Sequence, residues 1–343
     1  MSLAFPRTDA VLRAAAGEAF TGAVARIEVG GSLCFERAYG VTRSDRPKPV
    51  YVDTRFDLAS ITKLFVSTAA LALVDRGVMS LDRPLADLIP EWRERPQRAI
   101  TLRMLMAHTS GMFSGADYRT LFGERLERYV LARELAAAPA ERVLYSDLGM
   151  IALGVVLERA CAGSLPSIVA EIFPQYTIGF VPVERERPSI PATEEDSWRG
   201  RVQGSVHDEK AHLMNGVAGH AGLFGTAADV ARLAELFLSA ASGRAGALIS
   251  AELARDAIRE HAYDPVLRRG LGWALKTSDE NSCGRWFSKA SFGHTGFVGT
   301  CVWADPDRDI QGVLLTNTVY FGRNDSRLLR AAFYEALVED IGR

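Results

Sequence analysis

The chain has 343 residues, of which 48% are hydrophobic and 24% are charged, the ordinary mixture of a soluble globular protein that needs no disulfide or metal to build a core. Its formal net charge of −2 provides no field that would favour nucleic acid or an anionic membrane surface as a partner. The four cysteines form no Cys-x-x-Cys pair and no glycine-rich phosphate loop is present, so we expect neither a metal nor a cofactor.

The first third of the chain predicts a helix, a hairpin and a second helix. The first helix covers residues 9–20, and strands cover 22–29 and 33–39, with a Gly-Gly hairpin signal between them. The second helix begins near residue 60 and runs to about residue 75. Because it is apolar on nearly all sides from 64 to 74, we expect it to be surrounded by other elements.

The middle of the chain predicts helices, and the last third predicts strands again. The middle helices cover residues 102–107, 125–138, 147–162, 165–172, 227–242 and 250–260. A long irregular stretch, 173–225, separates two groups of them, and such a stretch usually lines a functional site. The later strands cover residues 271–276, 286–292, 299–304 and 310–316, followed by a helix over 326–341.

This order of elements predicts an α+β fold. One sheet would be built from both termini, and the helical middle, about 60–225, would pack beside it as an inserted subdomain. We expect a single unit over residues 1–343. Residues 1–20 lack the basic start and apolar segment of a secretory signal, and no apolar run is long enough for a membrane span. We therefore expect a cytoplasmic protein, or a periplasmic or secreted one if a leader has been removed.

A serine and a lysine, Ser60 and Lys63, lie three positions apart at the start of the second predicted helix. Positions i and i+3 share a helix face, so the hydroxyl and the amine can touch. A serine nucleophile needs a partner that accepts its proton, and a lysine can do so where burial or a nearby cation lowers its pKa. The structural alternative for so short a pattern is a capping serine beside a solvated lysine.

A second pattern, Tyr145-Ser146-Asp147, directly precedes the helix predicted from residue 147. A tyrosine near a lysine can relay a proton between a nucleophile and a leaving group. The structural alternative makes Asp147 a helix N-cap and Tyr145 a packed aromatic residue. The two interpretations are compatible, because a cap also fixes the geometry that a catalytic tyrosine needs.

A third pattern, His294-Thr295-Gly296, follows a predicted strand. An edge strand with a small residue lets a substrate backbone lie alongside, and the hydroxyl and imidazole could bind a carboxylate or carbonyl. The structural alternative is a turn in which Gly293 and Gly296 adopt positive φ. A histidine cluster at 207, 212 and 220 lacks the spacing of a helical metal site, and we expect His220 to make a structural hydrogen bond beside the site.

Taken in order, the three patterns resemble those of the β-lactamase and D,D-peptidase superfamily. The nearest groups are class C β-lactamases, low-molecular-weight penicillin-binding proteins and related esterases. Residues 102–111 and 217–226 add to the resemblance, which covers roughly residues 20–340. It implies an antiparallel sheet flanked by helices with a helical subdomain, in agreement with the architecture inferred above.

The resemblance also implies a role for each motif residue. Ser60 would attack the substrate carbonyl and become acylated, while Lys63 and Tyr145 move protons during acylation and deacylation. The backbone N–H groups of Ser60 and Phe297 would form the oxyanion hole. The residues that would border the substrate are Asp147, His294, Thr295 and Gly296.

Two residues depart from the family pattern. Asp147 stands where the family usually has asparagine, so it could keep Lys63 protonated or attract a substrate amine, and we expect it to tune specificity and leave activity intact. His294 stands where many β-lactamases have lysine, and a neutral imidazole holds a carboxylate less strongly than an ammonium does. The sequence therefore favours a D,D-peptidase or carboxylesterase with weak β-lactam hydrolysis.

We thus predict a serine hydrolase that acts through an acyl-Ser60 intermediate on a small ester, amide, β-lactam or peptide substrate. One alternative is an acyltransferase of the same fold, in which an alcohol or amine replaces water. Another is a penicillin-binding sensor or scaffold without catalysis, although such a protein has no need of Ser60, Lys63 and Tyr145 together. The sequence leaves the oligomeric state open.

Overall fold

The computed structural model describes residues 4–123, 125–241, 243, 248–266 and 268–342, and within them the chain forms ten α-helices and twelve strands. The helices are α1 (Pro6–Ala15), α2 (Thr62–Asp75), α3 (Leu102–Met106), α4 (Leu126–Ala132), α5 (Asp147–Cys161), α6 (Leu165–Ile172), α7 (Glu209–Leu213), α8 (Ala227–Ala241), α9 (Ala251–Ala257) and α10 (Arg327–Ile341). The strands are β1 (Gly22–Val29), β2 (Ser32–Gly40), β3 (Phe56–Asp57), β4 (Gly179–Phe180), β5 (Glu195–Asp196), β6 (Gly200–Arg201), β7 (Leu223–Gly225), β8 (Arg268–Arg269), β9 (Ala274–Leu275), β10 (Phe292–Thr295), β11 (Cys301–Asp305) and β12 (Ile310–Thr316).

Seven strands form one antiparallel sheet in the order β2-β1-β12-β11-β10-β9-β8. The first and last parts of the chain meet inside this sheet, where β1 pairs with β12 from Ala23 opposite Thr316 to Val29 opposite Ile310. Gly30 and Gly31, both at positive φ, form the hairpin between β1 and β2. The prediction of one sheet built from both termini is confirmed.

Helices cover both faces of this sheet. On one face α1 packs against α10, and their apolar residues share a core with residues of β1, β11 and β12 such as Ile27, Trp303 and Leu314. On the other face α8 lies across β1, β11 and β12, and its core continues into the helical middle of the chain. Such a two-sided arrangement buries both faces of every central strand.

Helix α2 lies inside the helical region and carries the lysine of the first motif. Every residue of α2 from Thr62 to Leu73 is buried, and the helix contacts α5 and α6. An apolar surface on all sides requires neighbours on all sides, as the sequence indicated. Among the described residues no single helix is long and apolar enough to cross a bilayer, although α5 and α6 together reach that length and hydrophobicity, with a bend of 77° between them.

Several predicted boundaries were wrong. The helix predicted over 125–138 is only α4, because the chain beyond Ala132 turns back to donate hydrogen bonds to the carbonyl of Gly111. The strand predicted over 286–292 begins only at Phe292, and the one predicted over 271–276 is only β9. The predicted end of α8 at Ser242 lies outside the described residues.

Candidate active site

Ser60 lies in a short 3-10 turn, Ala59–Ile61, between β3 and α2. Ala59 adopts φ +46°, a left-handed conformation that residues with a Cβ rarely take. The Asp57 carboxylate holds this conformation, because it accepts the Ala59 N–H at 2.8 Å with one oxygen and the His207 N–H at 2.7 Å with the other. The strained turn presents the half-buried Ser60 to a cleft of about 900 Å³.

The hydroxyl of Ser60 and the amine of Lys63 are in contact, as the i, i+3 spacing predicted. Lys63 Nζ lies 2.8 Å from Ser60 Oγ and 3.1 Å from the His220 carbonyl oxygen, and the lysine is fully buried. Burial alone lowers the pKa of Lys63, but the carboxylate of Asp147, 2.9 Å away, outweighs burial and raises that pKa above its usual value. In the resting site Lys63 is therefore an ammonium that donates to Ser60.

Tyr145 lies beside this pair. Lys63 Nζ is 5.0 Å from the centre of the tyrosine ring, and the guanidinium carbon of Arg269 is 4.9 Å from it. The rings of His108 and His294 pack at 4.6 and 6.1 Å, so cation–π and ring contacts hold the phenol next to the nucleophile. The first two motifs thus meet at one point of the cleft.

The N-cap of α5 is Ser146, and the prediction of Asp147 as the cap was wrong by one residue. Ser146 Oγ accepts the Gly149 N–H at 2.8 Å and donates to the Phe113 carbonyl at 2.6 Å. Because the serine satisfies the helix terminus, the Asp147 carboxylate is free to pair with Lys63. Burial would raise the pKa of Asp147, but Lys63 outweighs burial and the pKa is lowered, so the group is a carboxylate.

Strand β10 carries the third motif and is paired on both sides, so it is not an edge strand as a whole. Its pairing with β9 covers only Phe292 and Gly293, whereas β11 pairs with it as far as Thr295. Among the described residues, His294 and Thr295 therefore have no strand neighbour on the β9 side. This segment is a local edge at which an extended substrate could lie.

His294 is neutral. Its Nδ1 donates to the Thr295 carbonyl at 2.8 Å, while Nε2 is buried without a partner. Burial, reinforced by Lys63 and Arg269, lowers the pKa of His294 to about 3. The imidazole therefore lines the cleft without offering charge to an anionic substrate.

The glycines of this motif serve close packing, and the alternative of a turn with two positive φ angles was wrong. Neither Gly293 nor Gly296 is among the glycines with positive φ. A Cβ on Gly293 would lie 2.3 Å from the Val302 carbonyl oxygen, and one on Gly296 would lie 2.0 Å from Thr300 Oγ1. Glycine lets β10 approach β11 and the Ser60 turn this closely.

Phe297 forms an exposed wall of the cleft, with 55% of its surface accessible. Its ring stacks on His207 at 5.6 Å and lies 5.5 Å from the guanidinium carbon of Arg323. Phe297, Ser60, Tyr145 and the strand residues line the same cleft, while Lys63 lies buried behind the serine. The predicted site residues are thus brought together, and their roles remain predictions.

Two charged residues of this site, Arg269 and Lys210, were not predicted from the sequence. Arg269, at the end of the two-residue strand β8, is 5% exposed, lines the cleft and has no ion-pair partner within 4 Å among the described residues. Lys210 in α7 lies 3.5 Å from Asp147 and 3.2 Å from Asp208. Neither residue belongs to a recognisable motif, and both come from short elements whose place in the fold the sequence does not reveal.

Two carboxylates and one imidazole near Lys63 have the composition of a metal site. Oxygen atoms of Asp147 and Asp208 and a ring nitrogen of His220 lie within 4.8 Å of one another. The ammonium groups of Lys63 and Lys210 already contact the two carboxylates and provide the positive charge that a metal ion would bring. We therefore interpret the cluster as an ion-pair network, and His220 as the structural partner of Asp208 at 2.7 Å.

Comparison with known proteins gave one family and a consistent group of relatives. The family model described as Beta-lactamase matches residues 8–336. Esterase EstB of Burkholderia gladioli is 29% identical over 92% of this chain and 91% of its own length. An N-acetylmuramyl-L-alanine amidase of Bacillus subtilis is 27% identical over 91% of this chain and 80% of its own length. The solved structure of EstCE1, a hydrolase with promiscuous acyltransferase activity, has a TM-score of 0.76 and 22% identity and covers 96% of this chain and 97% of its own.

Proposed function

Because the chain belongs to the β-lactamase family and is a serine hydrolase, we propose that Ser60 forms the acyl intermediate. The observation that carries this assignment is the contact of 2.8 Å between Ser60 Oγ and the buried Lys63 Nζ at the wall of an open cleft. Lys63 must first lose its ammonium proton to solvent. Its neutral amine then takes the hydroxyl proton of Ser60 while Oγ bonds to the substrate carbonyl carbon.

The remaining steps use residues around the same cleft. The backbone N–H groups of Ser60 and Phe297 donate to the oxyanion, and Tyr145, next to Lys63, passes the proton to the departing alcohol or amine. Water then attacks the acyl-serine carbonyl, and its proton passes through the same groups to Ser60 Oγ. The bond between Oγ and the acyl carbon breaks, which releases the acid and restores the serine hydroxyl. An added alcohol or amine that yields a transfer product in place of the acid would support the acyltransferase alternative.

The first prediction concerns the nucleophile. We expect the protein to hydrolyse short-chain p-nitrophenyl esters and to turn over nitrocefin slowly, because His294 offers no charge to the cephalosporin carboxylate. A fluorophosphonate probe should modify Ser60, and Ser60→Ala should abolish both labelling and hydrolysis. An unlabelled Ser60 in the wild-type protein would favour the scaffold alternative, and fast cephalosporin hydrolysis without ester hydrolysis would contradict the expected preference.

We further propose that the substrate carries a carboxylate on its leaving group, as a peptide with a free C-terminus does. Arg269 supports this, because a buried guanidinium without an anionic partner is costly unless a ligand supplies one. Burial lowers the pKa of Arg269, but an arginine stays charged. Its position over Tyr145 puts the positive charge on the side of the cleft where the leaving group receives its proton.

The second prediction tests this substrate class. Arg269→Gln should lower kcat/KM about 10- to 100-fold for a D-alanyl depsipeptide whose leaving group is D-lactate, and less than about threefold for p-nitrophenyl acetate, because a charged hydrogen bond contributes about 1.5–3 kcal/mol. The matched control is Arg268→Gln, since Arg268 neighbours Arg269 in β8 but pairs with Glu260 and does not line the cleft. Equal losses on both substrates would reject Arg269 as the carboxylate-binding residue.

A further inference from the structure

Lys210 contacts the carboxylate of Asp147 on the side away from Lys63. Asp147 Oδ1 lies 2.9 Å from Lys63 Nζ, and Oδ2 lies 3.5 Å from Lys210 Nζ. The Lys210 side chain is 12% exposed, so solvent screens this contact only weakly. One carboxylate is therefore shared between the lysine that touches the nucleophile and a second lysine from a different part of the chain.

The contacts continue from Lys210 and return to Lys63. Lys210 Nζ lies 3.2 Å from Asp208 Oδ2, and Asp208 Oδ1 lies 2.7 Å from His220 Nε2. The carbonyl oxygen of His220 in turn accepts a hydrogen bond of 3.1 Å from Lys63 Nζ. We call Lys63, Asp147, Lys210, Asp208 and His220 the ion-pair ring.

The lysine and carboxylate charges of this ring balance when both lysines are present. Two ammonium groups face two carboxylates, and the pKa of Asp208 is lowered because His220 and Lys210 outweigh its burial. Without Lys210, two carboxylates would face the single ammonium of Lys63. That excess of negative charge would hold the proton on Lys63 more tightly, and a protonated lysine cannot accept the proton of Ser60.

The other polar groups around Lys63 and Asp147 come from several elements, and among them His220, like Lys210, lowers the pKa of Asp147. His108 follows α3 and His294 belongs to β10, and burial lowers the pKa of both, so they are neutral. The guanidinium carbon of Arg269, in β8, lies 4.9 Å from the centre of the Tyr145 ring, and Arg269 lines the cleft. The titratable groups that act on Lys63 directly are Asp147, Tyr145, His108 and His294. Asp208, Lys210 and His220 act on Asp147.

We propose that Lys210 is a positioning residue that holds Asp147 and offsets its charge, so that Lys63 can release its proton and act as the base for Ser60. This inference rests on the proposed function, since it assigns Lys63 that role. Lys210 itself touches neither Ser60 nor the cleft surface. It acts only through Asp147 and through the net charge of the ion-pair ring.

The test is the pH dependence of kcat/KM for p-nitrophenyl acetate between about pH 5 and pH 10 in three variants. Lys210→Met should move the ascending limb to higher pH by about one unit, so that kcat/KM at a fixed pH on that limb is roughly tenfold lower. Lys210→Arg keeps the charge and should restore the limb. Asp208→Asn removes a carboxylate while retaining an acceptor for the Ala211 N–H, and should move the limb down.

The opposite directions of two neighbouring substitutions separate this proposal from loss of structure, which would lower the rate of both variants alike. An upward shift in Lys210→Met with a downward shift in Asp208→Asn supports it. If the ascending limb of Lys210→Met stays at the wild-type pH or moves to lower pH, the proposal for Lys210 is overturned. The proposed function stands in that case as long as the fluorophosphonate probe labels Ser60. A wild-type protein in which the probe does not label Ser60 overturns the proposed function and this inference with it.

Discussion

Asp147 influences how tightly Lys63 holds its proton, because its carboxylate makes the largest of the contributions, with those of Tyr145, that outweigh burial and raise the pKa of that lysine. The asparagine usual in the family would offer an oxygen without a negative charge. Both Asp147 oxygens face lysines, so a substrate amine would have to displace one of them. Of the two effects that the sequence suggested for this residue, control of Lys63 is the one that the contacts favour.

The prediction at this scale concerns Asp147→Asn. The substitution removes the charge that raises the pKa of Lys63, so more of the lysine is neutral at a given pH below that pKa. We expect the ascending limb of kcat/KM for p-nitrophenyl acetate to move down by about one pH unit or more, opposite in sign to Lys210→Met. If the pH profile and the preference between ester and depsipeptide substrates both stay unchanged, Asp147 does not tune the site.

Two elements, the turn before α2 and the end of β10, must approach closely for the site to exist. Thr300 Oγ1 donates to the Leu58 carbonyl at 3.2 Å and so ties the chain after β10 to the turn that carries Ser60. Gly296 lies between them, and a Cβ there would also lie 2.8 Å from the Leu58 carbonyl oxygen. The third motif therefore supports the position of the nucleophile as well as bordering the cleft.

The prediction at this scale is a loss of both stability and acylation in Gly296→Ala. A methyl group in this contact forces the two elements apart, and overpacking of this kind costs about 1–3 kcal/mol. Urea unfolding should give a lower free energy of unfolding, and fluorophosphonate labelling of Ser60 should slow. Gly115→Ala is the matched control, because Gly115 has no atom within 4 Å of its Cβ position and no positive φ. A Gly296→Ala protein as stable as that control would contradict the packing argument.

For the whole molecule, the sequence correctly predicted the elements whose type and length follow from a local pattern of apolar residues. Strands β1 and β12 and helices α5 and α6 are long enough for their periodicity to indicate both type and extent. Strands β8, β9 and β10 have only two to four residues, so their bounds depend on pairing with distant segments, and the predictions there were wrong or absent.

The site also contains residues that a local pattern reveals and residues that it does not. Ser60, Lys63 and Tyr145 belong to motifs whose spacing and order indicate the chemistry, and the structure brings them together. Arg269 and Lys210 reach the site from β8 and α7, whose placement depends on the tertiary course of irregular chain. No local signal distinguishes them from the many other arginines and lysines of this sequence.

The pairing of β1 with β12 also affects how the chain folds while it is being synthesised on the ribosome. Thr21 donates its N–H to the side chain of Asn317, a contact between residues 296 positions apart. Since β1 pairs with β12 inside the sheet, the N-terminal hairpin emerges from the ribosome long before its partner strand exists. Until β12 has been synthesised, the edge of β1 that pairs with it stays without a partner strand. Closing the sheet is therefore a late step between residues far apart in the sequence, and steps of this kind are slow. The nascent chain is therefore an expected client of chaperones that shield apolar strand edges.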